Sequence, residues 1–136
     1  LTIKSIPQNT IFGDFKAFFK ADKTTTNPNE PVKVNLIIKG CGDFYDLPDF
    51  KLNLSDATVY ENSPQIKTYI QNNKLCGIYN KEFTILSNHN IEIDPITFKT
   101  FDGNNTKIIK TNKLLITVKH SNIASTITKL KTTPTV

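Results

Sequence analysis

The amino-acid sequence predicts an all-β fold, an antiparallel β-sandwich of immunoglobulin type with about seven to nine strands. Short segments of alternating apolar and polar residues recur along the 136 residues, and turn-forming residues separate them. No segment shows the 3.6-residue period of an amphipathic helix. Ile, Val, Phe and Thr are frequent, and these residues favour strands. A small barrel is the alternative architecture.

The clearest strand signal lies in the segment from Ala21 to Phe44. Its second half alternates Lys33, Asn35 and Lys39 with four apolar residues, which are Val32, Val34, Leu36 and Ile38. This period of two predicts a strand with one buried and one solvated face. The preceding residues 27–31 contain two prolines, which remove backbone donors and fix φ. They predict a chain reversal before the strand.

The other strands are shorter, and turn residues bound them. A first strand is predicted around Phe15, Ala17 and Phe19, and the last around Leu114, Ile116 and Val118. Between them we predict strands over residues 50–54, 58–61, 65–71, 75–86 and 91–101. In the last of these the apolar parity slips at Asp94-Pro95, which predicts a β-bulge with one extra residue.

The chain divides into one domain with a tail at each end. Residues 1–13 have no sustained period and are predicted to be a lead-in or linker, and residues 14–119 form the sandwich. Residues 120–136, rich in Ser and Thr, are predicted to be a linker tail. The chain has no Met, so we expect a segment of a longer protein whose anchor or targeting signal lies outside it.

The charge of the chain argues against a nucleic-acid reader. The formal net charge is +5, and all 17 basic residues are lysines. Base readout favours the bidentate fork of arginine, which is absent. The lysines occupy scattered outward positions, which predicts a solvated surface, with a weak attraction to anionic polymers or lipid as the alternative.

No set of residues predicts catalysis, a cofactor or a metal site. His89 lies in a turn and His120 at a strand end, and neither has a partner at metal-ligand spacing. Asp43, Asp46 and Asp49 recur every third residue, but they lack the glycine-punctuated loop of calcium sites. No serine lies in a nucleophile elbow. We therefore expect a protein that is not an enzyme.

Four stretches together resemble the immunoglobulin-like repeat of the BatD family, the bacterial oxygen-tolerance (aerotolerance) proteins. The family shows a GDF lead-in with a later DKT, a GEPV turn with a strand ending in GxG, an LPxxKL run, and a closing IPxIxFxxFD hairpin. The corresponding residues here are Gly13–Phe15 with Asp22–Thr24, Asn29–Val32 with Gly40–Gly42, Leu47–Leu52, and Ile93–Asp102. Asn29 stands where the family often has Gly. Asn can occupy a turn position with positive φ, as Gly does.

The resemblance implies a function and a location. It implies a module of a membrane-anchored protein on the periplasmic or extracytoplasmic side, acting in protein–protein interaction within an envelope complex. Von Willebrand factor A proteins of the Bat group are the implied partners, with no catalytic residues and no cofactor. A carbohydrate-binding or adhesin-type sandwich is the alternative. That class favours exposed aromatic platforms, and the chain has no Trp but four tyrosines, Tyr45, Tyr60, Tyr69 and Tyr79.

The two cysteines are not part of the family pattern. If the strand from Val32 pairs antiparallel with the strand that begins near Leu75, Cys41 and Cys76 become neighbours on outward positions. Because the implied compartment is oxidising, we predict a disulfide between them. Two unbonded thiols are the alternative.

The loop from Asp43 to Phe50 is the predicted partner-binding surface. Loops at the ends of a sandwich commonly display binding residues. This loop combines apolar and acidic side chains, which are Phe44, Tyr45, Asp46, Leu47, Asp49 and Phe50. In the alternative, Phe44 or Leu47 folds inward and closes the end of the core. Tyr45 is the residue we expect to stay exposed.

Overall fold

The structure, a computed structural model that describes residues 10–119, confirms the all-β sandwich. It contains ten strands, a few more than predicted, and a single short 3-10 turn at Phe44–Asp46. The strands are β1 (Thr10–Ala21), β2 (Thr25–Thr26), β3 (Val32–Gly42), β4 (Ala57–Glu61), β5 (Gln65–Gln71), β6 (Lys74–Ser87), β7 (Ile91–Ile93), β8 (Thr97–Phe101), β9 (Thr106–Lys110) and β10 (Leu114–Val118).

The larger sheet has seven strands in the order β4, β6, β3, β1, β8, β9, with β5 also on β6. The long strand β6 has two partners along one edge, because β4 pairs with its second half and β5 with its first half. All these pairings are antiparallel except the one between the first residues of β1 and the last residues of β8, which is parallel. The edge of β6 therefore contains a junction where β4 ends and β5 begins.

The second sheet has three strands in the order β2, β10, β7. Strand β10 is antiparallel to β7 and parallel to the short β2. The buried residues Ile91, Ile93 and Ile116 of this sheet join one hydrophobic cluster with Leu36 and Phe83 of the larger sheet. The core therefore lies between the two sheets.

The prediction of a β-bulge at Asp94-Pro95 is wrong. Ile93 pairs with Leu114 and Thr97 pairs with Lys110, so residues 94–96 face the same number of residues, 111–113. Both strands of this ribbon are interrupted together, with no extra residue on either side. In one strand the inward-facing residues change from odd numbers, 91 and 93, to even numbers, 98 and 100. In the other strand they change from 109 and 111 to 114 and 116. The sequence showed the change in one strand only.

Two side chains hold the ribbon at this interruption. The Thr111 hydroxyl accepts a hydrogen bond from the Ile96 N–H at 2.7 Å, and the Thr111 N–H donates to the Ile96 carbonyl at 3.0 Å. The Asn112 side chain accepts from the Phe19 N–H at 2.7 Å and donates to the Phe19 carbonyl at 3.3 Å. Asn112 therefore provides β1 with the two hydrogen bonds that a neighbouring strand would provide.

The inward positions of several strands are buried. Val34, Leu36, Phe83, Ile85, Phe98, Ile116 and Val118 are at most 8% exposed. The turns contain residues that tolerate positive φ, since Asn29 adopts φ 59° and the β5–β6 hairpin turn has Asn72 and Asn73 at φ 51° and 62°. Asparagine tolerates this left-handed region better than most residues.

Three other local predictions need correction. Strand β1 begins at Thr10, inside the predicted lead-in, and Ile11 is buried. The strand predicted over residues 50–54 does not form, and β9 was not predicted. Residues 50–56 instead form an irregular segment, which continues from the loop whose side chains Phe44 and Phe50 enter the core. Residues 1–9 and the tail 120–136 lie outside the described residues.

Candidate functional site

The loop from Asp43 to Phe50 closes one end of the core. Phe44 is 1% exposed, and its ring packs edge-to-face on Phe15 with the centroids 5.1 Å apart. Phe50 is also buried and contacts the rings of Tyr79 and Phe98. Leu47 is partly buried against the same cluster. The prediction that Phe44 and Phe50 face a partner is therefore wrong, because their burial in the core removes apolar surface from water. Leu47 keeps part of its side chain at the surface, and its role in binding stays a prediction.

Asp49, another residue of the predicted binding loop, is bound to the body of the domain. Its carboxylate accepts a hydrogen bond from Lys81 Nζ at 2.8 Å. Lys81 is 2% exposed and also donates to Glu61 Oε1 at 2.8 Å and to the Phe50 carbonyl at 2.7 Å. An ammonium group has three protons, and each has a partner here. We call Lys81, Asp49 and Glu61 the lysine clamp.

The lysine clamp shifts the pKa values of its members. Burial alone would lower the pKa of Lys81, but hydrogen bonds and charges from Asp49 and Glu61 outweigh it and raise that pKa. The hydrogen bond from Lys81 lowers the pKa of Asp49, and it does the same for Glu61. All three groups therefore stay charged at neutral pH. The clamp fixes the end of the loop to β4 and β6.

The lysine clamp was not predicted from the sequence, although the alternation in β6 contains a sign of it. Lys81 has the same parity as Tyr79, Phe83 and Ile85, which places a lysine on the buried face of that strand. Such a lysine needs charged or hydrogen-bonding partners. The pattern does not show which acids provide them, since Asp49 and Glu61 lie 32 and 20 residues away in the chain.

Tyr45 and Asp46 are the loop residues that remain at the surface. The Tyr45 side chain is 68% exposed, while its neighbour Phe44 is buried. Asp46 is also exposed, and its N–H donates to the Asp43 carbonyl at 3.2 Å. Burial and the adjacent Asp46 raise the pKa of Asp43. The loop thus presents an aromatic ring beside two neighbouring carboxyls, which we call the acidic tip.

Cys41 and Cys76 are joined by a disulfide in the structure. They lie directly opposite each other at the end of the antiparallel β3–β6 pairing, on the strands from which their proximity was predicted. Cys76 is 1% exposed, although the alternation had placed it on an outward position. The bond fixes the end of β3 immediately before the loop that carries the acidic tip.

A cleft of about 640 Å³ opens beside the disulfide. Phe12 and Leu75, both partly exposed, provide apolar walls, while Asp14, Asp43 and Asp102 contribute carboxylates. Gly13 and Gly42 also line it, and a Cβ atom on Gly42 would lie 2.5 Å from the Gly13 Cα. Strands β1 and β3 therefore approach too closely at Gly13 and Gly42 for a larger residue at either position. The cleft and the acidic tip share Asp43.

Metal-ligating side chains do not cluster in the described part of the chain. Within residues 10–119, no group of three or more His, Cys, Asp or Glu side chains could hold a metal ion. His89 is exposed, and its N–H donates to the Ser87 hydroxyl, whereas His120 lies outside the described residues. No helix in the described range is long and apolar enough to cross a membrane.

Comparison of the chain with protein-family models, curated proteins and solved structures finds no match in any of the three. The resemblance to the BatD family therefore stays a prediction that rests on the sequence motifs.

Proposed function

We propose that this chain is a non-catalytic, extracytoplasmic module of a BatD-like, membrane-anchored protein, and that it binds a protein partner within a cell-envelope complex. The observation that carries the proposal is the rigid presentation of the acidic tip. Phe44 and Phe50 anchor the loop in the core, the lysine clamp holds Asp49, and Tyr45 is left 68% exposed between these anchors. Because the loop is anchored on both sides of Tyr45, its backbone loses less conformational freedom on binding than a free loop would.

Two further observations support the proposal. The stretches that carry the BatD resemblance lie at distinctive structural features: Gly13 and Gly42 at the close strand contact, Leu47–Leu52 in the loop that closes the core, and Ile93–Asp102 at the interrupted ribbon. The Cys41–Cys76 disulfide supports an extracytoplasmic location, because such bonds persist in oxidising compartments.

The charge of the tip defines the partner surface it would fit. Asp43 and Asp46 lie close enough to raise the pKa of Asp43, so a cationic group between them would relieve their repulsion. Tyr45 adds an amphipathic ring of the kind that is enriched at interface centres. We therefore expect a partner surface that pairs a lysine or arginine with an apolar pocket. Von Willebrand factor A proteins of the Bat group are the partners that the resemblance implies.

The test uses the full-length protein with Tyr45→Ala and Asp46→Lys. Both side chains are exposed, so the melting temperature should stay close to that of the wild type, while co-purification with the von Willebrand factor A proteins should fall at least about tenfold. Tyr60→Ala with Asp56→Lys is the matched control, since both residues are exposed in and beside β4. It should leave co-purification unchanged.

Two results would contradict the proposal. Unaltered co-purification of the tip variant would remove the tip from the interface. An equal loss in the Tyr60/Asp56 control would show that net charge, and not the tip, governs association.

A further inference from the structure

The edge junction on β6 has a polar side that faces away from the core. Here β4 has ended, β5 has not begun, and the Asn62 N–H donates to the Glu82 carbonyl at 3.0 Å. A small depression of about 150 Å³ lies at this junction. Its lining consists entirely of amide, hydroxyl and carboxyl side chains, which are Asn35, Asn62, Ser63, Gln65, Asn80 and Glu82.

The amides of this polar depression are largely without protein partners. Asn62 donates to Glu82 Oε1 at 2.9 Å, but the side chains of Asn35, Gln65 and Asn80 make no hydrogen bond within residues 10–119. Asn35 and Asn80 are nevertheless half-buried. The side-chain oxygen and nitrogen atoms of Asn35 and Asn80 still reach solvent, so they are free to bond a ligand. A carboxamide offers both donors and an acceptor, as recognition of a sugar hydroxyl requires.

A row of lysines borders the depression. In the strand register Lys16 faces Lys39 across β1 and β3, Lys39 faces Ile78 on β6, and Ile78 faces Lys67 on β5. Adjacent strands lie about 5 Å apart, so the three lysines form a line across the sheet about 15 Å long. All three are exposed, and none forms an ion pair with a described residue.

This arrangement costs stability in the isolated chain. Lys16 and Lys39 are like charges directly opposite each other, which is unfavourable in a sheet. The next row toward the depression contains Ile37, Asn80 and Gln65 in the same register. Cationic groups, amides and an exposed aliphatic side chain are thus set side by side on one face of the sheet. The lysines that looked scattered in the sequence are brought together by strand pairing.

We propose that this face binds an anionic saccharide. A sugar ring occupies the polar depression and exchanges hydrogen bonds with Asn35, Asn80 and Gln65, while its carboxylate or sulfate groups lie along Lys39 and Lys67. The depression has room for about one sugar ring, and the line of charge matches a linear polymer crossing the strands.

The test measures binding to the full 136-residue chain by calorimetry and by amide chemical-shift changes. The probes are tetragalacturonate, a heparin tetrasaccharide, neutral maltotetraose and inorganic tripolyphosphate. We expect saturable binding of one of the two anionic saccharides, which identifies carboxylate or sulfate as the anion, with shifts centred on Asn80 and Lys39. Tripolyphosphate provides charge without a sugar ring, and maltotetraose a sugar ring without charge, so each should bind at least about tenfold more weakly.

Variants separate the two parts of the proposed site. Lys39→Gln with Lys67→Gln should weaken binding of the anionic saccharide roughly tenfold and reduce its salt dependence. Asn80→Ala, or Gln65→Ala on the exposed edge strand if the former unfolds, should weaken it about fivefold. Lys99→Gln with Lys110→Gln removes the same charge from exposed positions on β8 and β9 and should leave binding unchanged.

Several outcomes would overturn the inference. These are no saturable binding of either anionic saccharide, equal binding of tripolyphosphate, or equal losses in the Lys39/Lys67 variant and the Lys99/Lys110 control. Chemical-shift changes confined to another face would overturn it as well.

Discussion

Replacing Lys81 with methionine tests whether the lysine clamp holds the end of the loop in place. Methionine keeps most of the apolar stem of the lysine and removes the ammonium group, so packing in the core changes little. The substitution deletes three hydrogen bonds, to Asp49, Glu61 and the Phe50 carbonyl. The Phe50 carbonyl is the critical one, because its hydrogen bond with Lys81 is buried and water does not readily replace the donor.

The expected loss follows from these contacts. A buried acceptor left without a partner costs about 1 to 3 kcal/mol. The Asp49 carboxylate is 68% exposed and is hydrated when the lysine is removed. The variant also avoids burying an ammonium group, which offsets part of the loss. We expect Lys81→Met to lower the free energy of unfolding by about 2 kcal/mol, or the melting temperature by about 8 °C at roughly 4 °C per kcal/mol.

Urea denaturation followed by circular dichroism measures the effect, and Lys51→Met is the matched control. Lys51 contacts the same two carboxylates, at 3.2 Å from Asp49 and 3.4 Å from Glu61, but its side chain is 56% exposed. Exposed ion pairs contribute little, so Lys51→Met should unfold like the wild type. A Lys81→Met protein as stable as the wild type, or more stable, would refute the reasoning. That result would place the lysine clamp among the buried ion pairs whose hydrophobic replacement is neutral or stabilising.

The lysine clamp also predicts a pH dependence. Lys81 lowers the pKa of Asp49 and of Glu61 in the folded state from ordinary values of 3.8 and 4.5. Carboxyls with lowered pKa values stabilise the fold above their unfolded pKa values, and this stability is lost as pH falls through the folded values. The difference in stability between wild type and Lys81→Met should therefore narrow below about pH 4. A difference that stays constant down to pH 2 would contradict the assigned ion pairs.

The remaining predictions concern the core, the disulfide and the alkaline limit. Leu36→Ala should lower the free energy of unfolding by about 2 to 5 kcal/mol, whereas the adjacent, half-exposed Ile37→Ala should cost much less; equal losses would contradict the assigned faces. The denatured, unreduced protein should show no titratable thiol, and reducing the Cys41–Cys76 bond, with its sequence separation of 35, should cost about 4 kcal/mol. Burial and nearby carboxylates raise the pKa of Tyr79 to about 12 from 10.0, so the fold should lose stability between these pH values, and Tyr79→Phe should lose less.

The fold class could be predicted from the sequence because alternation along a strand is a local property. Val32, Val34, Leu36 and Ile38 identify their buried face without reference to any other strand, and all four are buried. The prolines of residues 27–31 and the asparagines of residues 72–73 mark chain reversals for equally local reasons, namely fixed φ and tolerance of positive φ.

The candidate site was predicted only in part. The loop from Asp43 to Phe50 was identified, and Tyr45 is exposed as expected, but Phe44 and Phe50 belong to the core, and Leu47 packs partly buried against it. The composition of a loop shows how many apolar side chains it contains, but it does not show whether they point into the core or toward solvent. That direction depends on whether the two sheets leave an opening at that end, which only their packing determines.

By itself the sequence determined the all-β class, the apolar face of the longest strands and several of the turns. The tertiary structure decided which strands are neighbours and in what register. Register alone brings Lys16, Lys39 and Lys67 into one row, and it shows that the slip at Asp94-Pro95 is matched on the opposite strand. The physical reason is that alternation depends on adjacent residues of one segment, whereas pairing depends on contacts between segments far apart in the chain.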